Sequence, residues 1–403
     1  MKLPNTTEKH LTYCLNIHPG ETWEANFAAI RNHAMRVRDA VALREPFGLG
    51  LRLGGHAAEQ LNKPGPLSEL RNFLDDHGLY AFTINGFPYG QFHGKAVKED
   101  VYRPDWRSAQ RREYTNTLID ILAALLPDGL AGSISTVPVA YKPWIRTPED
   151  TLQVARMLGA TAAYADEVRK DTGKDICIAL EPEPDCFLET TGEAIEFLTA
   201  TLPKTAATVA DEIGLAPDDA SEIVARNVGV CLDTAHSAVE FEDPAESLTR
   251  FAAAGVRVAK VQLSSALRLT ASAEAMDKLE AFVDPVYLHQ VKLRRPGGEI
   301  ESFADLPEAI VAAKSLGDGG QCELRVHFHV PLFFTEAGPL SSTSDLLGKD
   351  FWRHLSENSG IRQLEIETYT FDVLPKVLRS SDVVESIRRE YEWVLAQWAA
   401  CQT

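Results

Sequence analysis

Val228-Gly-Val-Cys-Leu-Asp233-Thr-Ala-His236 is the stretch on which the fold turns. An apolar run stops at a carboxylate, and a histidine follows shortly after. Two further stretches share this form: Ile176-Cys-Ile-Ala-Leu-Glu181-Pro-Glu183 and Leu364-Glu-Ile-Glu367-Thr-Tyr369. Short apolar runs that end abruptly in a polar group read as parallel strands buried on both faces. If such strands close into a barrel, their C-terminal ends converge on one rim, and that rim carries the chemistry.

Outward from these runs, strand-like and helix-like segments alternate in the rhythm of βα units. Strands are expected at Leu11–Ile17, Gly48–Leu53, Tyr80–Asn85, Gly132–Val137, Ile176–Glu181, Val228–Asp233, Val256–Leu263 and Arg362–Tyr369. Helices are expected between them, among them Trp23–Val41, Leu67–His77, Ser108–Leu126, Pro148–Thr172 and Pro244–Ala254, with Asp382–Ala400 closing the chain. Pro148 suits a first helical turn behind Thr147 as N-cap. The rhythm breaks after strand seven. Residues 264–350 hold a helix at Ala273–Phe282, a helix at Phe303–Leu316 and two extended segments, Val286–Leu293 and Cys322–Val330. This reads as an insertion that sets extra strands beside the barrel mouth.

Adjacent residues on a strand face opposite ways. In each of strands two, five, six and eight, one face is aliphatic and the other small or polar. Leu49, Leu51 and Leu53 oppose Gly48, Gly50 and Arg52; Leu364 and Ile366 oppose Gln363, Glu365 and Glu367. The aliphatic face suits covering helices and the small or polar face suits a crowded barrel interior. No glycine-rich phosphate loop follows the first strand. The fold class is therefore α/β, a (β/α)8 TIM barrel over residues 1–403 as a single domain, with an insertion between strands seven and eight.

The chain has 403 residues and a formal net charge of −18. Such an acidic balance repels phosphate backbones, so no nucleic-acid partner is expected. Six scattered cysteines without a CxxC pair suggest free thiols in a reducing compartment. No apolar signal segment opens the chain and no stretch approaches a membrane span, so a cytoplasmic protein without membrane insertion is expected.

Glu181, Asp233 and Glu367 are the centre of the functional reading. Carboxylates gathered at a rim repel one another, so a cation or a shared proton accompanies them. The plainer alternative is three separate carboxylates that cap helices or pair with arginines. Glu183 and Glu365 share the inward parity and could assist or replace their neighbours. Asp233-Thr-Ala-His236 is a DxxH element leaving a strand, and His236 either returns over the rim or caps the next helix. His327-Phe-His329 puts two imidazoles on one strand face, about 6–7 Å apart, a workable metal spacing. Gln262 lies at the rim of strand seven as a substrate contact, a weak ligand or an ordinary hydrogen-bonding group. Asn16, His18, Arg52 and Asn85 end strands one to three, and such groups suit a hydroxylated or anionic small molecule. Phe87, Tyr89, Phe92 and His93 in the long third loop suit a wall or lid.

With these residues in view, the chain resembles the sugar-phosphate isomerase/epimerase-like barrels, the xylose isomerase-like superfamily that includes ketose 3-epimerases and endonuclease IV. The resemblance rests on Glu181, Asp233-x-x-His236 and Glu367 ending strands five, six and eight. Over nearly its whole length the chain also resembles the EboE family of metabolite traffic proteins. The shared phrases are His10-Leu-Thr-Tyr-Cys-Leu-Asn-Ile-His-Pro-Gly-Glu-Thr-Trp23, Asn85-Gly-Phe-Pro-Tyr-Gly90, Gly132-Ser-Ile-Ser-Thr-Val-Pro138 and His327-Phe-His-Val-Pro331. The resemblance to the epimerases implies a divalent ion (Mn, Zn or Mg) on Glu181, Asp233 and Glu367. It implies proton transfer by Glu181 and Glu367, and a substrate contact at His236. Where those enzymes offer a histidine on strand seven, this chain has Gln262. Endonuclease IV binds an additional zinc through the DxxH histidine and an Asp-x-His element; His236, His327 and His329 occupy comparable places. The EboE resemblance implies a link to the movement of a secondary-metabolite precursor, with other proteins of that system as partners. The expected function is a metal-assisted isomerase or epimerase of a small polar metabolite. The alternatives are a non-catalytic escort protein and a metal-dependent hydrolase.

Overall fold

The computed structural model describes the chain except for residues 7, 43–44, 92–97, 284–287, 317–320, 372–373, 375–381 and 403. Eight parallel strands make the central sheet: β1 (His10–Tyr13), β2 (Phe47–Arg52), β3 (Leu79–Asn85), β4 (Gly132–Thr136), β5 (Ile176–Leu180), β6 (Val228–Asp233), β7 (Val258–Leu263) and, at the far end of the sequence, Gln363–Ile366. That last strand pairs with β1 on one side and β7 on the other, and the ladder runs on through β6, β5, β4 and β3 to β2. A parallel bridge from Cys14 to Gly50 then brings β2 round to β1. The architecture is a (β/α)8 TIM barrel.

The parity of the strands decides its interior. Leu49, Leu51, Ile178, Leu180, Val230, Leu364 and Ile366 are buried on the outer face beneath helices. The inner face is small or polar and stitched by hydrogen bonds. Thr83 and Ser133 hydroxyls meet at 2.8 Å, and Ser133 donates to Gln363 at 2.6 Å. Lys260 and Glu365 form an ion pair in the barrel, both without solvent exposure. Glycines make room for this crowding. A Cβ on Gly50 would lie 2.1 Å from Glu365 Oε1, and one on Gly229 would lie 2.4 Å from the Arg257 carbonyl.

Helix signals act as read. Thr147 caps the helix Pro148–Thr172 in a capping box with Asp150, and Gly173 ends it at φ 74°. The first strand is shorter than its apolar run: the chain turns after Tyr13 into a short 3-10 segment, Leu15–Ile17, that lays Asn16 across the rim.

Between β7 and the last barrel strand lies a second, antiparallel sheet. Its strands are β8 (Ala266–Thr270), β9 (Val291–Arg294), β10 (Ile300–Phe303), β11 (Glu323–His329), β12 (Glu336–Ala337) and β13 (Leu340–Ser342); the last barrel strand is accordingly β14. The order is β10-β9-β11-β8-β13-β12. It is larger than the two extended segments read from the sequence. Ala266-Leu-Arg-Leu-Thr alternates apolar and polar residues as a half-buried strand does, but only two serines separate it from β7. Strands of two to four residues carry too few periods to announce themselves.

Candidate metal centre

Each chemistry-bearing side chain is aimed by a local rule. Asp233 ends β6 and caps the helix Thr234–Val239: its Oδ1 accepts from the backbone N–H groups of Ala235 (2.8 Å) and His236 (2.9 Å) and from the Ser264 hydroxyl (2.7 Å). That capping turn places His236 at the third helical position, back over the rim. Its Nε2 lies 3.9 Å from Asp233 Oδ1, and its Nδ1 lies 3.8 Å from Glu181 Oε1. Glu181 leaves β5 and Glu367 leaves β14 at the same end of the barrel. Asn16 donates to Glu367 Oε1 at 2.7 Å. With its amide oriented so that both ends are satisfied, Gln262 donates to Glu181 at 2.8 and 3.2 Å.

The second sheet delivers the remaining groups. Between Val326 and His329 the pairing of β11 with β8 slips by a bulge. Bulges re-aim side chains. The His327 and His329 rings lie 5.5 Å apart between centroids, with His236 at 4.5 and 5.4 Å from them. Three overlapping triads result: Glu181, Asp233 and His236; Asp233, His329 and Glu367; His236, His327 and His329. In each, the candidate ligand atoms lie within 4.8 Å of one another, and every member is buried.

The donor atoms fit a cation. His236 Nδ1 faces the Pro182 carbonyl at 3.1 Å, His327 Nδ1 faces Gln290 Oε1 at 2.8 Å and His329 Nδ1 faces the Glu367 carbonyl at 2.7 Å. Each ring therefore spends one nitrogen on a protein oxygen, the usual second-layer arrangement of metal-ligating histidines. The other nitrogens of His327 and His329 are buried with no hydrogen-bond partner among the described residues, as is Asp233 Oδ2. Buried polar atoms left in this state carry a penalty of about 1–3 kcal/mol each unless something meets them. The three residues that carry these atoms belong to the overlapping triads, so the donor set suits a cation.

The electrostatics agree. Burial pushes the Glu181 carboxyl well above its ordinary range, and Glu367 and Asp233 add to the push. Burial also raises Glu367, against the pull of His329. Burial disfavours charge on His329, yet Asp233 and Glu367 hold it up to about 9. His236 and His327 are held well below the imidazole range by burial and by neighbouring histidines. The cluster demands positive charge, and protons or a metal cation supply it in competition.

Of these groups, Glu181, His236, His327 and Glu367 line a cleft that opens to solvent and encloses about 60 Å³. Asn16, Asn85, Glu181, Glu183, His236, His327 and Glu367 form its polar side. Phe87, Pro88, Val101, Tyr102, Leu288 and Tyr369 form an apolar wall. Phe92 and His93 lie outside the described residues. Tyr89 packs edge-on against Tyr114, away from the cleft.

Other predicted rim residues stand elsewhere. Arg52 is buried, with its guanidinium on the carbonyls of Gly20 (2.9 Å) and Gly90 (3.1 Å) and on Glu21 (3.4 Å), so it ties two loops together. His18 bonds Tyr13 at 3.0 Å and stacks on His33. Neither lines the cleft. Gln262 sits behind Glu181 rather than in the cleft wall. Glu365 points into the barrel toward Lys260. Sequence reasoning missed Tyr102 and Gln290, which brace Glu183 and His327. Gln290 adjoins a histidine in a segment already read as extended, which was the available signal.

No family model matches this chain, and no curated protein matches it. Solved structures do resemble it. The probable 3-DHS dehydratase AsbF involved in petrobactin synthesis from Bacillus anthracis shares 13% identity at a TM-score of 0.48, over 96% of this chain and 98% of that one. A D-tagatose 3-epimerase-like protein shares 12% identity at 0.48, over 98% of both chains. The IOLI protein with a binding zinc atom shares 11% identity at 0.42, over 96% of this chain and 99% of that one. The fold assignment rests on the strand order and closure described above.

Proposed function

We propose that this protein is a metal-dependent enzyme of the isomerase or epimerase kind, acting on a small polar metabolite in the cleft at the barrel's C-terminal end. One observation carries the reading: among the described residues Asp233, His327 and His329 keep buried ligand atoms without a hydrogen-bond partner, and each belongs to a close triad with Glu181, Glu367 or His236. Glu181, Asp233, Glu367, His236, His327 and His329 would hold the divalent ion, Mn, Zn or Mg. When bound, it supplies Lewis-acid polarisation of a substrate carbonyl or hydroxyl oxygen.

The chain's own groups supply the rest. Glu181 and Glu367 leave different strands beside one cleft, and one removes the proton at the carbon next to the carbonyl while the other returns it. Their burial keeps proton affinity high, as a general base requires. Asn16 and Gln262 hold the two carboxylates in place. Asn85 and His236 offer hydrogen bonds to substrate oxygens, and the aromatic wall covers the ligand's less polar side.

The phrases shared with the EboE family support a role in the traffic of a secondary-metabolite precursor, with proteins of that system as partners in the cytoplasm. A second reading draws on Gln262. Its amide is committed to Glu181 and supplies no imidazole to the ligand set, which favours an escort protein that binds the metabolite without turning it over.

Metal analysis of purified protein, followed by deuterium wash-in from solvent into candidate ketoses, tests both readings. The enzyme reading expects stoichiometric Mn or Zn and deuterium at the carbon next to the carbonyl, both abolished in Glu181→Gln. Bound metabolite without metal and without exchange would establish the escort reading.

A further inference from the structure

We infer that Gln290 is a positioning residue that fixes the ring tautomer of His327 and the direction of the Tyr102–Glu183 hydrogen bond. This rests on the metal-site reading only for the role of His327, not for its protonation.

The argument is a chain of forced hydrogen bonds. Gln290 has no solvent exposure and immediately precedes β9. One end of its amide lies 3.1 Å from the Pro184 carbonyl oxygen. A carbonyl oxygen only accepts, so that end is the nitrogen. The other end is therefore the oxygen, and it lies 2.8 Å from His327 Nδ1. An amide oxygen also only accepts, so Nδ1 of His327 carries the ring proton. His327 Nε2, buried and without a hydrogen-bond partner, is left with its lone pair outward.

The same amide nitrogen lies 3.0 Å from the Tyr102 hydroxyl. Tyr102 accepts there, and its own proton is directed to Glu183 Oε1 at 2.8 Å. Glu183 Oε1 is thereby held as an acceptor. The backbone reinforces this: the His327 N–H donates to the Gln290 carbonyl at 2.8 Å, so the two residues are locked in register. One uncharged residue beside the second sheet thus sets the tautomer of a histidine on that sheet and the hydrogen bond to a carboxyl group at the barrel rim. Neither effect is served by an apolar or a donor-only side chain at position 290.

Imidazole 15N NMR on metal-free protein reads the first consequence directly. In the wild type, His327 should show a protonated Nδ1 and a pyridine-like Nε2. Gln290→Leu should shift the proton toward Nε2 and weaken Zn binding, measured by competition with a chromophoric chelator, by 10- to 100-fold. Gln290→Glu keeps an acceptor oxygen and should restore both the tautomer and most of the affinity. Tyr102→Phe should leave the His327 tautomer unchanged. A wild-type His327 with its proton on Nε2 overturns the inference, and that measurement needs no variant. A folded Gln290→Leu protein with wild-type tautomer and Zn affinity also overturns it. If no form binds Zn but the tautomer follows position 290, the metal reading fails and the positioning role stands.

Discussion

Asp233 shows how one side chain serves fold and site through different atoms. Oδ1 is consumed by the helix cap and by Ser264, while Oδ2 is buried with no hydrogen-bond partner among the described residues. Asp233→Asn keeps a carbonyl oxygen for the cap and replaces the ligand atom. Its urea midpoint should stay close to wild type while bound metal, counted by mass spectrometry, falls to background. Asp233→Ala should lose the metal and a further ~1 kcal/mol of stability. Gly50 is a second such position. A methyl there collides with Glu365, whose partner Lys260 is equally enclosed. Gly50→Ala should destabilise by about 1–3 kcal/mol in urea titration. At this scale the three carboxylates were legible because each ends an apolar run, which a side chain in a loop cannot do, and His236 because it follows Asp233 three residues on. Arg52 was legible as a rim position but not in its role, because its contacts are backbone carbonyls of distant loops. The convergence of His327 on His236 needed the bulge in β11, and a bulge leaves no mark on the pattern His-Phe-His.

Elements repeat the lesson with pairs. Lys260 on β7 and Glu365 on β14 meet inside the barrel. Removing one leaves a buried charge alone, so Lys260→Met should cost about 3–5 kcal/mol. Adding Glu365→Leu to that variant should restore most of the loss, since an apolar pair of similar volume is commonly tolerated. Paired denaturation curves of the single and double variants check this; equal losses in both would refute it. All eight barrel strands were legible from their apolar runs, but not all in their bounds. The first and the last were overextended: Leu15 and Ile17 continue the apolar pattern while the backbone turns into a 3-10 segment, and the run Arg362–Tyr369 holds a strand only over Gln363–Ile366. In the second sheet the signal failed for a different reason: β8 follows β7 so closely that the pair reads as one long strand, and short strands like β12 and β13 show no period.

Across the molecule, the C-terminal helix is fastened to the site by a buried acid. Glu390, on the helix Val383–Cys401, accepts from the Thr368 hydroxyl at 2.7 Å and from the Leu332 N–H at 3.1 Å. Burial pushes its pKa up to about 7 from an ordinary 4.5, although both hydrogen bonds pull it down. Below pH about 4.5 folded and unfolded chains both carry the proton. Between about 4.5 and 7 the unfolded chain has released it and the folded chain has not, so this group's contribution to stability is lost as pH rises through that window. Glu390→Gln lacks this titration. Its stability relative to wild type should therefore improve on going from pH 4.5 to above 7, by on the order of 3 kcal/mol. A difference between the two proteins that stays flat over that range would contradict it.

The proposed ligand set is divided between two independently wound sheets. The barrel brings the carboxylates and His236; β11 brings His327 and His329. An ion seated among them would act as a clasp across the seam, and a site occupied at a hundred times its dissociation constant holds the folded state by about 2.7 kcal/mol. Chelation should then speed amide hydrogen exchange in β8, β9 and β11 before it touches the barrel strands. Cellular metal supply would in that way govern how long the protein survives proteolysis as well as what it can do.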